Sequence, residues 1–125
     1  MDSQSHILVV DDDTQMRQTI RTILEEEGYH IAEACDGNEA SGYLHRNTAD
    51  LVIVDIIMPD KDGIEVIVET REKFPDTKIL SLSGGGLITA NDHLSSAEAL
   101  GANQTLIKPF KNNELVEKVN SLLDN

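Results

Sequence analysis

A chain of 125 residues suits one domain over residues 1–125 and is too short for two. Its 39% hydrophobic and 26% charged residues make a globular composition, and the lone Cys35 excludes an internal disulfide framework and fits a reducing compartment. Ten Lys and Arg against 23 Asp and Glu give a net charge of −13, which repels phosphate backbones and anionic membrane surfaces and argues against direct nucleic-acid binding.

No apolar run approaches the roughly 18 residues of a membrane span. The start, Met1-Asp2-Ser3-Gln4, lacks the basic residues and apolar stretch of a secretory leader, so a cytoplasmic location is expected.

The run Ile7 to Val10 predicts a first strand, apolar at successive positions because both faces are covered. Met16, Ile20, Ile23 and Leu24 then form a helical stripe, with Gly28 a natural stop. Tyr29 to Ala34 reads as a second strand. A helix from about Asn38 to Arg46 turns Ala40, Tyr43 and Leu44 inward, although Gly42 weakens it. Leu51 to Val54 predicts a third strand, again apolar throughout. After Gly63 a helix uses Ile64, Ile67, Val68 and Arg71 at helical spacing and ends before Pro75. Lys78 to Leu82 is the fourth strand. A helix over about Asn91 to Leu100 rests only on Leu94, Ala97 and Leu100. Thr105 to Ile107 is the fifth strand, and Leu115, Val116, Val119, Leu122 and Leu123 make the cleanest stripe in the chain. Five strand-helix alternations predict an α/β, doubly wound parallel sheet of five strands flanked by five helices. Right-handed crossovers leave few topologies, and the functional crevice of such sheets lies at the carboxyl ends of the strands.

The residues at those ends are therefore the informative ones. Strand one is followed by Asp11-Asp12-Asp13, and strand three by Asp55-Ile56-Ile57-Met58-Pro59-Asp60. Strand four runs into Ser83-Gly84-Gly85-Gly86, and strand five into Lys108-Pro109-Phe110. Two like charges about 4 Å apart repel by roughly 4 kcal/mol at an effective dielectric near 20, so gathered carboxylates need cations. Lys108 supplies one, and hard oxygen ligands with room for water and phosphate suit Mg²⁺. An Asp beside a cation and a Lys can act as a nucleophile toward phosphorus. The ammonium, a hydroxyl and backbone amides would then hold the equatorial oxygens during in-line transfer.

Each signal alone has a plainer meaning. Asp13 reads as a helix cap, Ser83 as bonded to local backbone, and Lys-Pro as a loop dipeptide. The glycines lack the downstream Gly-Lys-Ser/Thr of a phosphate-binding loop. Cys35, His6, His30, His45 and His93 show no ligand spacing and read as structural or surface residues. The joint arrangement, one group at the end of each of several strands, carries the argument.

That arrangement resembles the receiver domain of bacterial two-component response regulators over essentially the whole chain. Ile7-Leu8-Val9-Val10-Asp11-Asp12 is similar to the family's acidic-pair strand, and Val54-Asp55-Ile56-Ile57-Met58-Pro59 with Asp62-Gly63 to its phosphorylation segment. Ser83 stands at its Thr/Ser position, and Lys108-Pro109-Phe110 matches its Lys-Pro-Phe. The resemblance implies a flavodoxin-like strand order of 2-1-3-4-5. It also implies that Asp55 accepts a phosphoryl group from a phosphohistidine on a sensor histidine kinase or phosphotransfer protein. Asp12 directly, Asp11 mostly through water, Asp55 and the backbone carbonyl of Ile57 would hold Mg²⁺. Lys108 would pair with phosphoryl oxygens, Ser83 would bond one of them, and the Lys108–Pro109 bond would be cis. On this reading the chain catalyses only its own phosphorylation and dephosphorylation, and the phosphorylated state alters binding to a downstream effector protein or output domain. The module is expected to be a monomer or weak dimer, standing alone or as part of a larger regulator.

Two departures bear on output. Thr105 occupies the position where the family commonly has Tyr or Phe, so no ring rotates there. Asn103-Gln104 replaces acidic residues common in DNA-binding members, which weakens the case for a charge-paired dimer. Ile57, two residues after the nucleophile, cannot orient a water, and Gly85 offers no side chain. A long-lived aspartyl phosphate is therefore expected. Decay after donor removal should accelerate in Ile57→Asn, and unchanged decay would defeat the idea.

Three other readings compete. A Mg²⁺-dependent phosphatase of the haloacid-dehalogenase type needs a general-acid Asp where this chain has Ile57. A flavin carrier on the same fold lacks support from a chain with no Trp, two Tyr and two Phe. A receiver-like scaffold that takes no phosphate keeps the fold but leaves the full residue set without a purpose.

Overall fold

The computed structural model describes residues 5–56, 63–84, 98 and 100–123. Strands β1 (His6–Val10), β2 (His30–Ala34), β3 (Leu51–Asp55), β4 (Lys78–Ser83) and β5 (Gln104–Ile107) form one sheet in the order β2-β1-β3-β4-β5. All four pairings are parallel. Helices α1 (Thr14–Glu26), α2 (Gly37–Arg46), α3 (Gly63–Lys73) and α4 (Asn112–Leu123) are the four seen among the described residues. The additional helix expected over Asn91 to Leu100 falls outside them except for Glu98 and Leu100, both exposed.

Strand alternation divides the core. Leu8, Val10, Val52, Val54 and Ile79 pack with Ala40, Leu44, Val66 and Ile67 on one face. On the other, Ile7, Val9, Leu51, Ile53, Leu80 and Leu82 pack with Ile20, Leu24, Leu115 and Val119. Every residue from Ile7 to Asp11 and from Leu51 to Ile56 is buried, which explains the unbroken apolar runs. The Tyr29 hydroxyl ties the entrance of β2 to Asn120 of α4.

Local chemistry sets the boundaries. Asp13 is the N-cap of α1, its carboxylate accepting from the Gln15 and Met16 amides. Asp36 caps α2 by accepting from the Glu39 amide. Gly28, at φ +97°, turns the chain after α1 in a region disfavoured for other residues. Tyr29 lies just before β2, while β4 extends one residue past expectation, to Ser83.

The inward face of α3 differs from the expected stripe. Gly63, Val66, Ile67 and Thr70 are buried, whereas Ile64 and Val68 are only partly covered. Arg71, expected in the apolar stripe, instead lays its stem against Gly101 and spends its guanidinium on backbone. Nη1 donates to the carbonyls of Pro75 (2.8 Å) and Thr77 (3.0 Å). Nη2 donates to Gly101 O and Asn103 Oδ1, both at 2.9 Å. Asn103 Oδ1 also accepts from the Ile79 amide at 2.8 Å, so one arginine closes the sheet edge opposite the acidic crevice. Arg71→Met should lower the urea-unfolding free energy by about 2 kcal/mol with an unchanged m value, because carbonyls bonded to a charged donor lose it.

Candidate functional site

The order reverses between β1 and β3: the chain passes from β1 outward to β2, then returns to β3 on the other side. That reversal opens the crevice into which Asp11 and Asp55 emerge. Asp11 is one residue past β1 and fully buried; Asp55 ends β3 and is 8% exposed. From the far edge, Lys108 follows β5 and bridges both. Its Nζ lies 3.0 Å from Asp11 Oδ2 and 3.2 Å from Asp55 Oδ2. The Lys108–Pro109 peptide is cis, as the resemblance implies.

Backbone bonds hold these ends in register. Asp11 N–H donates to Ala34 O, Ile56 N–H to Leu82 O and Lys108 N–H to Ser83 O, at 3.1, 3.1 and 2.7 Å. Burial raises the Asp11 carboxyl above its usual range, although the Asp13 amide (2.9 Å to Oδ1) and Lys108 oppose the shift. Burial also works against the Lys108 ammonium, but the hydrogen bond to Asp11 and the charges of Asp55 and Asp11 outweigh it and hold the pKa up. The lysine therefore stays charged between two carboxylates.

Asp12 is exposed beside this pair. Asp11, Asp12 and Asp55 each offer a carboxylate oxygen within 4.8 Å of the others, the one such grouping among the described residues. An all-oxygen donor set, buried on one side and open to water at Asp12, fits a hard divalent cation. One lysine leaves most of the acidic charge unbalanced, which favours such an ion.

Ser83 ends β4 fully buried, and its hydroxyl donates to the Gly84 carbonyl at 3.4 Å. The plainer reading, a local backbone bond, describes it here. Ile57, its carbonyl included, and Gly85 and Gly86 lie outside the described residues. Thr105 pairs with Ser81 across β5 and β4, and its hydroxyl donates to Glu98 Oε2 at 3.3 Å.

Sequence reasoning set Gly63 in the phosphorylation segment without seeing its packing role, and it missed Arg17. Gly63 packs so closely under β3 that a Cβ there would overlap the Asp55 carbonyl and the Ile56 Cα. Arg17, in the first turns of α1, donates to the Asp11 carbonyl at 2.6 Å. Its placement four residues after the cap Asp13 was the available signal.

A family model described as the response regulator receiver domain matches residues 7–120. The transcriptional regulatory protein ResD of Bacillus subtilis is 38% identical over 97% of this chain and 49% of its own length. The probable transcriptional regulator ycf27 of Cyanidium caldarium is 37% identical over 96% of this chain and 47% of its own. The chain thus spans about half the length of the curated relatives it matches. A CheY-like receiver domain protein from Methanospirillum hungatei superposes with a TM-score of 0.90 at 28% identity, covering 97% of this chain and 94% of that one. The chemotaxis protein CheY4 of Vibrio cholerae gives 0.86 at 29% identity, covering 95% and 98%. Sheet order, crevice and kinship agree: this chain belongs to the response regulator receiver domains of two-component systems.

Proposed function

We propose that Asp55 is the acceptor of a phosphoryl group in a Mg²⁺-dependent reaction. The observation that carries this reading is the Lys108 ammonium held between Asp11 and Asp55, with Asp12 beside them. A carboxylate oxygen of Asp55 attacks phosphorus and forms the new P–O bond. The bond from phosphorus to the donor nitrogen breaks, and the departing imidazole keeps the electron pair. Lys108 is placed to follow the phosphoryl oxygens as they arrive, exchanging one carboxylate contact for another anionic oxygen. The Ser83 hydroxyl turns from Gly84 to donate to a second. Asp11, Asp12 and Asp55, together with the Ile57 carbonyl that the resemblance implies, would hold Mg²⁺, which would supply neutralisation of charge at the acceptor and the incoming group.

Within this reading the donor is a histidine kinase or phosphotransfer protein, and the recipient of the signal is an effector protein or an output domain. The chain turns over no external substrate, acts without nucleic-acid contact of its own and works in the cytoplasm. No helix among the described residues is long and apolar enough to cross a membrane.

Incubation with a small-molecule phosphodonor and Mg²⁺ should add about 80 Da to the intact mass, the mass of one phosphoryl group. The gain should vanish with chelator and in Asp55→Asn. A gain that persists in Asp55→Asn, or none in the native chain, overturns the proposal.

A further inference from the structure

We propose that Arg17 is a positioning residue for the cation site, acting through the backbone carbonyl of Asp11; this rests on the reading of Asp11, Asp12 and Asp55 as cation ligands. Asp11 stands one residue past the end of β1. Its N–H still joins the ladder through Ala34, but its carbonyl has left the sheet. The guanidinium of Arg17 takes that carbonyl in place of a strand, with Nη1 at 2.6 Å.

The same guanidinium is fixed from its other edges. Nη2 donates to Thr14 Oγ1 at 3.3 Å and Nε to Glu33 Oε1 at 2.9 Å. Glu33, on β2, uses its second oxygen to accept from Arg21 Nη1 at 2.8 Å, and Arg21 Nε in turn reaches Glu25 at 2.9 Å. The Arg21 hydrogen bond, against the cost of burial and helped by Arg17, keeps the Glu33 carboxyl below its usual range. The Arg17 side chain is only 13% exposed, so this is a packed anchor rather than a surface ion pair.

The carbonyl of Asp11 and the N–H of Asp12 share one rigid peptide plane. Fixing that carbonyl fixes the direction in which the chain delivers Asp12, an exposed residue whose position comes through its backbone. Arg17 therefore sets the spacing of two ligands without touching the cation. The planar fork is required, because one guanidinium must serve Asp11, Thr14 and Glu33 at once.

The test is Mn²⁺ affinity of the whole chain by electron paramagnetic resonance, with urea unfolding in chelator and phosphoryl uptake measured in parallel. Arg17→Gln should weaken Mn²⁺ binding about tenfold, as losses of outer-shell partners do. Arg17→Lys restores the charge but not the fork, and should stay several-fold weaker than native. Arg21→Gln loosens the same ion-pair network without reaching Asp11, and should remain within about twofold. Native affinity in Arg17→Gln, full recovery in Arg17→Lys, or an equal loss in Arg21→Gln overturns the proposal. Should Arg17→Gln fail to fold, Glu33→Gln decides: about threefold weaker binding supports it, and native affinity overturns it. Normal phosphoryl uptake by the native chain alongside any overturning result sinks the positioning role alone. A native chain that takes neither Mn²⁺ nor phosphate sinks the functional reading as well.

Discussion

Lys108→Met is expected to destabilise the cation-free protein by about 3 kcal/mol near pH 7, the scale of a buried pair broken from one side. The Lys108 side chain is 18% exposed, Asp11 is fully buried and the Asp55 side chain is 12% exposed. Methionine keeps the stem volume and removes only the ammonium, leaving two carboxylates facing each other across the crevice. The pH dependence has a definite sign. Burial raises Asp11 above the ordinary carboxylate value, so between that value and the raised one the folded chain holds a proton the unfolded chain has released. Folding is therefore favoured on the acid side of this window and loses stability as pH rises through it. Without Lys108 the raised value climbs further, and the deficit of the variant should shrink on acidification. Urea unfolding in chelator across the pH series measures it. A deficit that is absent, or constant with pH, contradicts the arrangement. Phosphoryl uptake should also slow about a hundredfold, as on losing one preorganised donor.

Asp11 and Asp55 were legible because each directly abuts an apolar run, whereas Lys108 follows the short, half-covered β5 and was legible only from its place after a fifth strand. A strand buried on both faces announces itself over four or five residues, and whatever polar group follows must sit at the sheet edge. The strand order was a different matter. Periodicity predicts parallel strands but not which are neighbours, and the order came through the family resemblance. The face of α3 was misread by about one position because Ile64, Val68 and Arg71 satisfy helical spacing as well as Val66, Ile67 and Thr70 do. Spacing cannot show that the stem of Arg71 lies on Gly101 while its head finds four backbone and side-chain acceptors. Arg17 was hidden for a related reason: an arginine on an amphipathic helix reads as solvated until the partner carbonyl, from another element, is placed beside it.

Gly63→Ala should be nearly as damaging as the loss of Lys108, at about 3 kcal/mol, the upper range for forcing volume into a packed site. Gly63 begins α3 directly beneath the end of β3, and the atoms a methyl group would meet are backbone, not the flexible tip of a side chain. The Asp55 carbonyl and the Ile56 Cα are themselves fixed, since the Ile56 amide is bonded to Leu82 O and β3 lies between two other strands. Relief must come from tilting α3 away or pushing Asp55 outward. The second movement separates Asp55 from Lys108, which already reaches it at 3.2 Å, and the first removes the packing of α3 behind the acceptor strand. Alanine should therefore lower both the unfolding free energy and the yield of the roughly 80 Da adduct. Gly84→Ala is the matched control at the end of β4, where a Cβ meets nothing within 4 Å. Its unfolding free energy should stay within about 0.5 kcal/mol of native. Equal stability of the two variants would mean that the close approach of α3 to the acceptor strand is not what requires glycine at position 63.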